Sequence, residues 1–220
     1  KEAFHSNQCI TKIMQAALEQ AGLSENCVQL VQDTSRESAN EMMRLTEYLD
    51  VLIPRGGAGL IKAVVENAKV PVIETGSGNC HVYVDESADV TMAADIIFNA
   101  KTSRPSVCNA IETVLVHKNI AEKALPVIEN RLKEKQVEIR GCQTVYRVLP
   151  DAVPATEQDW ATEYLGYTVA IRVVDDIHQA IDHIMMYTTG HSECIVTESY
   201  TNAMLFTSQI DAAAVYVNAS

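Results

Sequence analysis

Short apolar runs, each closed by glycine, proline or a polar cluster, alternate along this chain with stretches whose apolar residues recur every three or four positions. That alternation restricts the fold more than any other feature. From Asn7 the apolar residues Ile10, Ile13, Met14, Ala17, Leu18 and Ala21 share one helix face, and Gly22 supplies the stop. Cys27–Val31 reads as a buried strand. Ser35 can cap a helix that runs through Met42 and Met43 to about Leu45. Val51–Pro54 is a second strand, Gly56-Gly57-Ala58-Gly59 opens a third helix, and Val70–Ile73 is a third strand. After a break at Gly76-Ser77-Gly78 the rhythm resumes. Strands are expected at His81–Val84, Val114–His117, Val137–Ile139, Thr168–Val174, Cys194–Thr197 and Ala213–Val217. Helices are expected at about Ala88–Ala100, Ile120–Lys133, Ile177–Met186 and Thr201–Ile210, and the polar stretch Asp151–Thr162 reads as a long loop. Strands alternating with helices predict an α/β fold on parallel sheets with right-handed crossovers.

Composition narrows the function classes. Apolar residues make up 47% of the 220, enough for a real core. The formal net charge of −12 argues against nucleic acid and anionic membrane surfaces as partners. No apolar run reaches the ~18 residues of a membrane span. The six cysteines are scattered, with no CxxC pair, and no His/Cys/Asp spacing suggests a metal. With no leader-like start, a reduced, cytoplasmic setting is expected. The chain opens at Lys1 without methionine and stops just after an apolar run, so it reads as a piece of a longer protein.

Cys108 is the leading candidate for chemistry. Pro105 disfavours helix at Arg104, Ser106 can cap the turn that follows, and the thiol is then expected in the first turn of a new helix with Arg104 nearby. A helix N-terminus and a cation both favour thiolate. The competing reading is a buried structural cysteine, but the flanking polar residues favour the reactive one. Arg55-Gly56-Gly57-Ala58-Gly59 joins a strand to a helix. It suits either a tight turn or a phosphate cradle, because glycine lets a backbone approach a ligand. Glu74 ends the third strand, where open α/β sheets bind ligands. His191, among hydroxyls and a glycine in Thr188-Thr189-Gly190-His191-Ser192-Glu193, suits a small anion or amino acid. His5, His117 and His178 read as structural.

These residues carry a resemblance. Thr102 to Thr113, around Cys108, resembles the active-site cysteine segment of the γ-glutamyl phosphate reductase (glutamate-5-semialdehyde dehydrogenase) family of the aldehyde dehydrogenase superfamily. Asp50–Ile61, Val72–His81 and Val174–Ile195 are similar to three further segments of it, with Thr188 standing where glycine or serine is usual. The resemblance covers essentially the whole chain. It implies an aldehyde-dehydrogenase-like fold: residues 1–78 as the second half of a Rossmann-type cofactor domain and residues 79–220 as an α/β catalytic domain.

The implied reaction is NADPH-dependent reduction of glutamyl phosphate to glutamate semialdehyde through a thioester on Cys108, the second step of proline synthesis from glutamate. The resemblance matches Glu74 to the superfamily's general-base glutamate, Glu2 to the adenine-ribose carboxylate and Glu163 to the nicotinamide-ribose carboxylate. It puts Gly56, Gly57 and Gly59, with Arg55, near the pyrophosphate. Arg104 and His191 are candidates for the anionic groups of the substrate. A homo-oligomer, and glutamate 5-kinase as a partner, are also implied. Two other functions compete: an aldehyde dehydrogenase acting on a free aldehyde, and a non-catalytic interaction protein on the same fold.

Overall fold

The computed structural model describes residues 3–74 and 78–220. The chain divides into two compact units, Lys1–Thr75 and Gly76–Ser220.

Among its described residues the first unit holds three α-helices: α1 (Phe4–Gln20), α2 (Arg36–Met42) and α3 (Ala58–Asn67). Gly22 follows α1 at φ +76°, the left-handed geometry that favours glycine after a helix. The Ser35 side chain accepts a hydrogen bond from the Ser38 N–H and caps α2, as expected. The three strands expected here do not form a ladder. Cys27 ends a short 3₁₀ turn (Glu25–Cys27), and Val51–Pro54 and Val70–Ile73 meet only in one parallel bridge, Leu52 to Val72. Two short segments flanked by Pro54 and Pro71, which donate no N–H, cannot extend the pairing. Val31, Val51, Ile53 and Ile73 are accordingly exposed.

The second unit is the α/β layer structure that the alternation predicts. Its strands are β1 (Cys80–Val84), β2 (Ile111–His117), β3 (Glu138–Gly141), β4 (Val153–Pro154), β5 (Thr168–Val174), β6 (Ser192–Val196) and β7 (Ala214–Val217). All pairings are parallel, in the order β4-β3-β5-β2-β1-β6-β7. The helices α4 (Val90–Thr102), α5 (Lys118–Lys133) and α6 (Gln143–Val148) belong with one core, built on Val82, Val84, Val114, Val116, Val169 and Ile171. The helices α7 (Ile177–Tyr187) and α8 (Tyr200–Gln209) belong with a second, built on Tyr83, Leu115 and Ile195. Alternate residues of one strand thus feed two apolar layers, as strands covered on both faces must. The His117 side chain accepts from the Asn119 N–H and caps α5, a structural role.

The stretch read as one long loop holds more structure than expected: strand β4 and a 3₁₀ helix, Glu157–Ala161. The latter is fixed by a capping box in which Asp159 accepts from the Thr156 N–H at 2.7 Å and hydroxyl at 2.8 Å. Asp159 also takes hydrogen bonds from Arg140 and Tyr164. Burial alone would raise this carboxyl, but these donors outweigh it and hold the group well below the usual range.

A candidate active site around Cys108

Where α4 ends, the chain does not start a new helix. It makes two consecutive turns, closed by Val107 N–H to the Arg104 carbonyl and Ala110 N–H to the Val107 carbonyl, and then enters β2. The expectation of a helix beginning at Ser106 is therefore corrected. Only five residues separate Pro105 from Ile111, where a β-branched run paired on both sides takes over. Cys108 sits in the second turn, exposed, with Arg104 and Asn109 also exposed and Ala110 buried behind them. No helix begins at this thiol, and its accessibility comes from the turn.

The backbone of that turn is held from below. Buried Cys80, the first residue of β1, donates its thiol hydrogen to the Cys108 carbonyl oxygen at 3.3 Å. Burial, with Glu193 beside it, pushes the Cys80 thiol far up, so this second cysteine stays protonated and serves as a donor. Gly78 lies closer still. A methyl group at position 78 would sit 1.6 Å from the Cys108 carbonyl oxygen and 2.7 Å from its Cα, so only glycine fits. The Gly78 N–H donates to Glu163 Oε1 at 2.8 Å. Glu163, expected from the resemblance to hold a ribose, thus bonds the residue that abuts the Cys108 turn.

Further segments gather at the same end of the sheet. Asn79 donates from its backbone to the Thr189 hydroxyl, and from its side chain to the Trp160 and Tyr187 carbonyls. The segments before β1, β2, β5 and β6 carry Gly78–Asn79, Cys108, Glu163 and His191 respectively, so all four enter the parallel sheet at its amino end. The half-buried His191 belongs to this cluster by position. Thr188, where the family pattern has glycine or serine, donates its hydroxyl to Glu193 and accepts from the Gly190 N–H, a role that a serine also fills. Arg104 lines a cavity of about 180 Å³ beside the turn, with Asn99, Ser103 and Asn109. A larger cavity, about 410 Å³, lies in the other unit among Gln8, Gln15 and Asn26 and holds no cysteine.

Behind the cluster lies a polar network that sequence reading missed. His81 and Glu193, both fully buried, pair at 3.0 Å, and the same Glu193 oxygen accepts the His81 N–H. The His183 ring packs edge-on to those of His81 and Trp160, and its Nδ1 accepts from Arg172 at 3.0 Å, which leaves the ring proton on Nε2. Burial, with His81 and Arg172 adding to it, pushes the His183 pKa down to about 3. Folded His183 is then neutral where an unfolded chain, with a histidine pKa near ~6.5, takes up a proton. The unfolded state binds more protons below that pH, so stability falls as pH falls, by about 2 kcal/mol at pH 5 for this group. We expect the urea midpoint to drop between pH 7 and pH 5, and His183→Gln to flatten the profile. An equally steep profile in the variant would contradict the assignment.

The remaining expected residues belong to the first unit or lie outside the described ones. Gly57 is the N-cap of α3 without a side-chain cap, and both Gly57 and Gly59 face open space where a Cβ would stand. Gly56 has no such room, since a Cβ there would meet the Leu60 side chain at 2.7 Å. Arg55 and Glu74 are exposed. Glu2 lies outside the described residues. Among the described residues no group of histidine, cysteine and carboxylate side chains is arranged to hold a metal ion, and no helix is long and apolar enough to cross a membrane.

Comparison with known proteins agrees with this architecture. A γ-glutamyl phosphate reductase from Clostridium perfringens is 59% identical over 219 residues, covering all of this chain and 53% of that protein. One from Carboxydothermus hydrogenoformans is 59% identical over 220 residues, with the same coverage. The crystal structure of γ-glutamyl phosphate reductase from Thermotoga maritima superposes with a TM-score of 0.94 at 54% identity, over 99% of this chain and 53% of that one. An acetylating aldehyde dehydrogenase from Geobacillus thermoglucosidasius, 22% identical with a TM-score of 0.74 over 96% of this chain and 55% of that one, shares the fold. The chain spans about half the length of the curated relatives it matches. The family model for aldehyde dehydrogenases matches residues 4–144, and the chain belongs to the aldehyde dehydrogenase family.

Proposed function

We propose that this chain provides the nucleophile-bearing part of a γ-glutamyl phosphate reductase, which reduces glutamyl 5-phosphate to glutamate 5-semialdehyde and phosphate. The observation that carries this reading is an exposed thiol on a turn whose backbone is locked by Gly78 and Cys80. It stands in a chain 54–59% identical to proteins of that name along its whole length.

The Cys108 thiolate attacks the acyl phosphate carbon. A C–S bond forms, the C–O bond to phosphate breaks, and phosphate leaves with the electron pair. The thioester so formed is a good hydride acceptor and thiolate a good leaving group. NADPH, when bound, supplies the hydride. Cys108 is released as thiolate when the resulting thiohemiacetal collapses to the aldehyde. The Cys108 N–H is our assigned donor to the oxyanion of each tetrahedral species, acting from a turn. Arg104 and His191 bind the anionic groups of the substrate. Glu74 has no hydrolytic water to activate in this reaction, so a base role for it is confined to proton transfer.

The open Cβ positions at Gly57 and Gly59, at the start of a ten-residue helix, fit a cofactor phosphate. We assign the phosphates to Arg55, Gly56, Gly57 and Gly59, the nicotinamide ribose to Glu163 and the adenine ribose to Glu2. Residues 1–78 and 79–220 serve as cofactor and catalytic parts. A cytoplasmic location, where thiols stay reduced, a homo-oligomeric assembly and contact with glutamate 5-kinase belong to the same proposal and rest on the family resemblance.

Gly57→Val tests the cradle. The new side chain meets no protein atom within 4 Å of its Cβ, so the fold should tolerate it while NADPH affinity drops at least ~10-fold, or ~1.4 kcal/mol. Unchanged affinity in a titration of the full-length reductase would reject the cradle. The reaction itself is tested by phosphate dependence. With semialdehyde and NADP, turnover should require phosphate. Turnover without it would favour oxidation of a free aldehyde.

A further inference from the structure

We infer that Lys101 and Glu112 are positioning residues: a buried ion pair that ties both ends of the Cys108 loop together and docks the Glu163 segment onto it. The inference rests on the reading of Cys108 as nucleophile and adds residues that neither the motif nor the family comparison identifies.

Lys101 is in the last turn of α4 and Glu112 is the second residue of β2, so the two stand at either end of the loop that carries Cys108. Both are fully buried. Lys101 Nζ donates to Glu112 Oε2 at 2.5 Å and to the Ile111 carbonyl at 3.0 Å. Glu112 owes this position to a register irregularity. Cys80 of β1 pairs with Ile111 and His81 pairs with Thr113, which leaves Glu112 as the extra residue on β2. Bulges of this kind re-aim a side chain, and here the re-aimed carboxylate meets the lysine.

The second carboxylate oxygen reaches a different segment. Glu112 Oε1 accepts from the Leu165 N–H at 3.4 Å, and Lys101 lies 5.9 Å from the centre of the Tyr164 ring. Leu165 has φ +55°, a left-handed geometry that a bulky residue adopts only when its surroundings impose it. Two residues earlier, Glu163 accepts from the Gly78 N–H, and Gly78 abuts the Cys108 carbonyl. Four contacts, joined by the chain segments 163–165 and 101–108, close a ring: Lys101 to Glu112, Glu112 to Leu165, Glu163 to Gly78 and Gly78 to Cys108. Burying two charges is costly, and an apolar pair of similar volume often serves stability as well or better. A role in stability alone therefore leaves the charges unexplained, whereas a link between three loop segments uses both carboxylate oxygens and two of the lysine's donors.

The test compares wild type, the charge-free double variant Lys101→Met/Glu112→Leu, and Glu112→Gln, which keeps the size of the side chain and removes its charge. Backbone amide exchange followed by mass spectrometry reads the loops without substrate or cofactor. Both variants should keep the slow exchange of β2 and β5 while peptides covering 103–110 and 162–167 exchange at least ~10-fold faster. In the full-length reductase kcat should fall at least ~30-fold, with KM for glutamyl phosphate changing less than threefold. Because glutamine matches glutamate in size, Glu112→Gln decides the matter if the double variant does not fold. Unchanged exchange in the 103–110 peptide of a folded variant would overturn the inference. So would faster exchange spread evenly over the core strands, the signature of a merely structural pair. Loss of reductase activity in wild type would reject the proposed function and leave the exchange result standing on its own.

Discussion

Cys108→Ala should abolish acyl transfer and leave the fold and cofactor affinity nearly intact. The thiol is exposed on a turn and fills no core space, so its removal leaves no cavity. Covalent chemistry, in contrast, has no substitute nucleophile at this turn. Cys80 is buried beneath it, and its thiol is held protonated by burial and by Glu193. We expect a loss of at least ~10⁴-fold in kcat/KM, or ~5.5 kcal/mol in the barrier. A thermal midpoint and an NADPH titration close to wild type would show that the loss is chemical. Activity within about tenfold of wild type, ~1.4 kcal/mol, would remove Cys108 from the mechanism.

Gly78→Ala is expected to have the next largest effect, though the residue carries no functional group. Its methyl would fall 1.6 Å from the Cys108 carbonyl oxygen and 2.4 Å from the carbonyl carbon. No side-chain rotation relieves a clash with backbone, so one of the two segments must move. Moving Gly78 breaks its hydrogen bond to Glu163, and moving Cys108 displaces the proposed nucleophile and breaks its hydrogen bond from Cys80. Displacing a reacting group by about 1 Å costs on the order of 10² in rate, and overpacking of this kind costs ~1–3 kcal/mol of stability. The expected result is kcat down at least ~100-fold with a lowered thermal midpoint. A variant with kcat within threefold of wild type would mean that the close approach of these two backbones does not set the position of Cys108.

The elements most legible in the sequence were those whose local signals agree. Strand β5, Thr168–Val174, was read to the residue because a β-branched run follows Gly166 and precedes two aspartates. Helices α5 and α7 were read to within two residues from their apolar periodicity. Helix α6 escaped because six residues are too few to show a period. The 3₁₀ helix Glu157–Ala161 escaped because its stability comes from Asp159 and partners as distant as Arg140. The strands expected in the first unit failed for a different reason. Apolar, β-branched sequence makes a segment ready to pair, but a ladder needs partners, and the described residues of that unit offer one bridge.

The candidate site divides along the same line. Cys108 stands out because its motif is contiguous in sequence, whereas Glu163 lies in no motif and comes only from the resemblance. The new helix expected at Cys108 was wrong because pairing of Ile111–His117 with strands on both sides outweighs the local turn signal. Gly78 is legible only as part of a break, and Lys101 and Glu112 carry no motif of their own, because the contacts of all three arise between segments. A charged residue at the start of an apolar strand, Glu112 in Ile111-Glu112-Thr113-Val114, was the available cue, but its partner is fixed by a bulge that sequence does not announce.

The most direct measurement is the capture of the covalent intermediate. The full-length protein is mixed with glutamate semialdehyde and NADP in phosphate-free buffer and digested, and any acylated peptide is located by mass spectrometry. A glutamyl thioester should appear on the peptide containing Cys108, be absent in Cys108→Ala, and disappear on addition of phosphate as glutamyl phosphate forms. An adduct on another residue, or a thioester on Cys108 that water discharges as fast as phosphate does, would contradict the assignment of this chain to acyl-phosphate reduction.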